Sequence, residues 1–146
     1  MGELVAALLL WIDAHTDYRV TDIPLPEVRV VSARELTHEY YEDAPSTYTR
    51  PVVDDRVLAL YDPNHAPHGI IYLRNDLPPH DILFQERLLH ELVHHVQHVN
   101  GMHRRYKCPA QGEREAYVLG GKFLKESGAR DPLSNREFWA GVYSRC

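Results

Sequence analysis

Residues 81–99 carry two separate patterns on one helix, and that combination constrains the chain more than any other feature. Leu89, Leu92, Val93, Val96 and Val99 recur at helical spacing and define an apolar stripe. His90 and His94 stand one turn apart and share a different face, turned roughly 140° from the centre of that stripe at about 100° per residue. The helix thus has a face for a core and a face lined by histidines. Gln97 and His98 fall near the histidine pair, whereas His95 is expected on a flank or at the surface.

Residues 90–94 read His-Glu-Leu-Val-His. Two imidazoles at this spacing can point at one metal ion, while Glu91 is offset around the helix and can reach a water on that ion. A catalytic zinc takes three protein ligands and leaves a position open. A further histidine six residues after His94 would complete one common pattern, but Asn100 holds that place. A downstream acidic residue is the alternative. After Asn100-Gly101, a plausible helix stop, a second helix opens near Gly112 and runs to about Ser127-Gly128. It carries Glu113 and Glu115, which point to nearly opposite sides. Glu115 lies among Ala116, Val118, Leu119 and Phe123 on the helical wheel, and a carboxylate in an apolar arc needs a partner to offset its desolvation. Glu115 is therefore the preferred third ligand to Zn²⁺. Glu113, where negative charge suits a helix N-terminus, is the reserve.

The runs His90-Glu91-Leu92-Val93-His94-His95-Val96-Gln97 and Glu113-Arg114-Glu115-Ala116-Tyr117 resemble the gluzincin metallopeptidases, above all minimal single-domain bacterial members. The resemblance spans residues 70–124. It implies a small zincin-like domain with His90, His94 and Glu115 on zinc, and Glu91 as catalytic base in peptide-bond hydrolysis. It also implies that the strand before the metal helix is the sheet edge, on which an extended peptide pairs. Where thermolysin-like members place an aspartate four residues after the ligand glutamate, this chain has Leu119, so the partner orienting a ligand histidine must come from elsewhere. Tyr117, Tyr143, Tyr106 and His103 are candidates for stabilising an oxyanion.

At 146 residues the chain fits one domain, 1–146, with a proper core. A net charge of −5 gives no electrostatic reason to expect nucleic acid, and the resemblance implies a peptide or protein substrate as the partner. No segment is apolar for the length needed to span a bilayer. The two cysteines, Cys108 and Cys146, are expected to pair, since the count is even and neither has a Cys neighbour at metal-ligand spacing; two free thiols are the alternative. A disulfide would favour a secreted or periplasmic setting over the cytoplasm.

Residues 4–12 read as a first amphipathic helix and 27–31 as a short strand. Ser32 and Glu35 form a capping box for a helix through Tyr41. Residues 56–61 and 69–73 are β-rich runs joined by a proline-rich loop, and 134–143 form a last helix. The order predicts an α+β domain, with a short, mostly antiparallel sheet followed by the His-Glu-Leu-Val-His helix and a glutamate-bearing helix. The competing function is a non-catalytic module that binds zinc or peptide, an inactive peptidase homologue.

Overall fold

The computed structural model describes residues 1–65 and 67–146. Ala66, in the loop expected between two strands, lies outside the described residues. Among the described residues the chain forms five α-helices and a three-stranded mixed sheet. The order is α1 (Gly2–His15), β1 (Glu27–Val31), α2 (Ala33–Tyr40), β2 (Ala59–Asp62), β3 (Ile70–Arg74), α3 (Ile82–Val99), α4 (Glu113–Glu126) and α5 (Arg136–Tyr143). Two single helical turns, Met102–Arg104 and Pro109–Gly112, lie between α3 and α4.

Local chemistry accounts for several boundaries. The Ser32 side chain accepts a hydrogen bond from the Glu35 amide at 3.2 Å and caps α2. Asp81 does the same for α3, accepting from Leu83 N at 2.8 Å. Gly69 has φ of 87° at the entry to β3, and a Cβ there would meet the Tyr61 ring and the Asp62 carbonyl.

The sheet corrects two expectations. Its strand order is β1-β3-β2, with β1 parallel and β2 antiparallel to β3, so it is not mostly antiparallel. Strand β3, directly before α3, is the central strand and not an edge. The physical reason lies in its side chains. Ile71 and Leu73 pack on the main core with α1, α3 and α4, while Ile70 and Tyr72 join a second core with Val31, Leu36 and Val57 beneath α2. A strand with both faces covered reads as an unbroken apolar run, and only a central position supplies partners on both edges.

The edge that borders α3 is β2. Arg74 N donates to Leu58 O at 3.2 Å, which fixes the phase of the antiparallel ladder. With Leu60 opposite Tyr72 and Asp62 opposite Ile70, these are the bonded pairs, and Ala59 and Tyr61 turn their N–H and C=O groups to the free edge. No helix is long and apolar enough to cross a membrane among the described residues.

Candidate metal centre

Helices α3 and α4 pack along one seam. Glu86, His90 and His94 recur every four residues on α3, and Glu113, Tyr117 and Gly120 form the opposing row on α4. The rows run in opposite senses. Glu113 meets His90 and His94, the Tyr117 ring stands edge-on to His90 with centroids 4.7 Å apart, and Gly120 lies against Glu86. The absence of a side chain at Gly120 lets α4 approach α3 closely.

This geometry brings together His90, His94 and Glu113. Glu113 Oε2 lies 3.0 Å from His90 Nε2, Glu113 Oε1 lies 3.2 Å from His94 Nε2, and the two Nε2 atoms are 3.2 Å apart. Metal bonds of about 2.0–2.2 Å in a tetrahedron set ligand atoms about 3.4 Å apart, so two imidazoles and a carboxylate in this arrangement fit a zinc-type site. Among the described residues these three form the group able to hold a metal ion.

The preferred ligand was Glu115, and the structure places it elsewhere. Its carboxylate accepts from the Tyr18 hydroxyl at 2.6 Å and from Gln97 Nε2 at 3.0 Å. A carboxylate in an apolar arc did need a partner, but Tyr18, from the far end of the chain, supplies it. Glu113 opens α4 immediately after the turn Pro109–Gly112, and that turn aims it at the histidine face.

Electrostatics bind the cluster further. Burial disfavours charge on Glu113, yet hydrogen bonds from His90 and His94 hold its carboxyl well below the usual carboxylate range. Burial also disfavours charge on His94, but the Glu113 hydrogen bond and the charges of Glu91 and Glu113 push it up to about 9. Burial raises the Glu91 carboxyl, while the neighbouring histidines pull against that shift.

Glu91 is only 8% exposed, yet it lines three adjoining cavities of about 350, 280 and 600 Å³. Ala59 of the free edge lines all three as well. Tyr117 and Tyr143, whose rings stack 5.2 Å apart, wall the side near His90, and His103 and Tyr106 wall the side near His94. All four candidate oxyanion donors therefore border the cleft.

His95 departs from the expectation, and Gln97 lies near the histidine pair as expected, with a contact the sequence did not specify. His95 is not at the surface but 1% exposed, with Nε2 2.7 Å from the Pro24 carbonyl and Nδ1 3.0 Å from the Tyr61 hydroxyl. Gln97 is 3% exposed and sets Oε1 3.1 Å from His94 Nδ1, the kind of contact by which an outer partner orients a histidine ring. Its spacing of three from His94 was a visible signal. The cysteines are paired, and the Cys108–Cys146 disulfide joins the turn before Glu113 to the end of the chain.

No curated protein and no solved structure matches the chain. A family model described as a domain of unknown function, DUF6647, matches residues 1–143, and the chain belongs to that family.

Proposed function

We propose that this domain is a zinc-dependent hydrolase of zincin-like type that cleaves peptide bonds, with His90, His94 and Glu113 as ligands and Glu91 as general base. The observation that carries this reading is Glu91 itself, a buried carboxylate beside the ligand cluster that opens on every cavity of the cleft. A purely structural site closes all four positions with protein ligands and has no use for such a base. Three ligand residues, with His98 and His103 stacked on each other 4.2 Å apart, favour an open fourth position.

Zinc, when bound, supplies a Lewis acid for the carbonyl and lowers the pKa of water. Glu91 takes the proton from the attacking water and delivers it to the leaving amine. Its burial keeps a proton within its reach at higher pH than an exposed carboxyl could. The free N–H and C=O groups of Ala59 and Tyr61 pair with an extended peptide, which adds a strand to β2 and lays its carbonyls beside Glu91. The Cys108–Cys146 disulfide suits an oxidising compartment, secreted or periplasmic.

The test compares the wild type with Glu91→Gln on a mixed peptide library, with and without chelator. Chelator-sensitive cleavage, lost in Glu91→Gln while zinc stays bound, is the expected result. Full activity in that variant defeats the mechanism. Bound zinc without any cleavage by the wild type supports the binding module instead.

A further inference from the structure

We infer that Glu115, backed by Tyr18, is a positioning residue for the metal centre: through Gln97 it holds the His94 ring with Nδ1 as donor and Nε2 as the free ligand atom. The inference rests on the reading of His90, His94 and Glu113 as a metal centre.

The argument is one of donors and acceptors. A neutral imidazole has one N–H, and its position is chosen by the group that the other nitrogen faces. His94 Nδ1 faces Gln97 Oε1 at 3.1 Å. A carboxamide could turn over with little steric penalty, since its two ends are similar in size. Here it is held. Gln97 Nε2 donates to Glu115 Oε1 and to the Gly112 carbonyl, both at 3.0 Å. Both partners only accept, so the amine end must face them and the carbonyl end must face His94. The reversed amide would set its oxygen against a carboxylate and a carbonyl. It would also offer N–H to Nδ1 and select the tautomer whose Nε2 carries hydrogen and cannot bind a metal.

Tyr18 completes the chain. Its hydroxyl donates to the same Glu115 oxygen at 2.6 Å. Burial, then the hydrogen bond and charge of Glu115, raise its pKa far above the usual phenol range, so it remains a donor throughout the working pH range. The path Tyr18–Glu115–Gln97–His94 carries the carboxylate's charge to the ligand from behind. Such outer partners orient a ligand histidine and raise its basicity. Glu115 is thus tied to the centre without touching the ion.

The test measures affinity of the full chain for Zn²⁺ and Co²⁺ by chelator competition, with the visible spectrum of the Co²⁺ form as a reading of ligand geometry. Glu115→Leu is expected to weaken binding by about 10–100-fold and to change that spectrum. Gln97→Glu alone sets two carboxylates face to face and also weakens it. Gln97→Glu combined with Glu115→Gln restores a donor–acceptor contact between positions 97 and 115 and keeps an acceptor on His94 Nδ1, but sets a carboxylate oxygen against the Gly112 carbonyl, so affinity rises above that of Gln97→Glu alone without reaching wild type.

Gly112→Ala provides a variant that leaves Glu115 untouched, since its Cβ would lie 2.6 Å from Gln97 Oε1 and must displace the carboxamide. It too should weaken binding, and if Glu115→Leu does not fold, wild-type affinity in folded Gly112→Ala overturns the positioning role, while partial recovery in the Gln97→Glu, Glu115→Gln pair supports it. Folded variants with wild-type affinity and an unchanged Co²⁺ spectrum overturn the positioning role while the metal centre stands. A folded wild type that takes up neither ion overturns the metal centre and this inference with it.

Discussion

The Tyr61 hydroxyl donates to His95 Nδ1 across 3.0 Å, tying the edge strand β2 to the helix that carries His90 and His94. The direction of this bond is set on the far side of the ring. There His95 Nε2 lies 2.7 Å from the Pro24 carbonyl, which can only accept. Tyr61 therefore ties the free edge of β2 to the helix that carries Glu91. Tyr61→Phe should leave a buried nitrogen without a partner and cost about 1–3 kcal/mol. Urea unfolding of the variant checks this, and an unchanged midpoint would contradict it.

The disulfide bears on the same cleft from the other end. Cys108 immediately precedes the turn that delivers Glu113, and Cys146 follows α5, which carries Tyr143. The bridge spans 38 residues of sequence, for which the chain-entropy model gives about 4 kcal/mol of stabilisation. Replacing both cysteines with serine should lower thermal stability by several degrees and weaken metal uptake. A variant that unfolds at the wild-type temperature and keeps full affinity would show that the bridge neither stabilises the chain nor holds Glu113 in place.

Acid stability depends on a different carboxylate. Asp54 accepts from Arg56 through two side-chain bonds and from the Tyr41 hydroxyl at 2.7 Å. The Arg56 and Tyr41 hydrogen bonds hold its carboxyl well below the usual carboxylate range. A folded pKa below the unfolded one means that the unfolded state binds the proton more tightly. The stabilisation is then complete above the unfolded value of about 3.9 and is lost as pH falls toward the folded one. Asp54→Asn should flatten the acid limb of a melting-temperature profile below about pH 4. An identical acid limb in wild type and variant would refute this.

Much of this arrangement was legible in the residues, and its failures have physical causes. The apolar stripe of α3 and the Ser32 cap of α2 are local patterns, and the structure keeps both. The helical wheel of α4 identified a carboxylate in need of a partner but could not name it, because Tyr18 is 97 residues away. For that reason it is Glu113, and not Glu115, that meets His90 and His94. His95 was misplaced because a two-faced description of α3 leaves no room for a third neighbour, and β2 occupies that third direction. The central place of β3 was visible in the unbroken run Ile70-Ile71-Tyr72-Leu73, but the resemblance pointed to an edge. In the proposed function the peptide therefore pairs with β2 and not with β3.

The central claim is that His90, His94 and Glu113 together hold zinc. The most direct test is the metal content of dialysed protein by elemental mass spectrometry, for wild type, Glu91→Gln and Glu113→Ala. The expected result is one zinc per chain in the first two and none in Glu113→Ala. A wild type that carries no zinc and takes none up, or a Glu113→Ala variant that keeps its full zinc, would contradict the account.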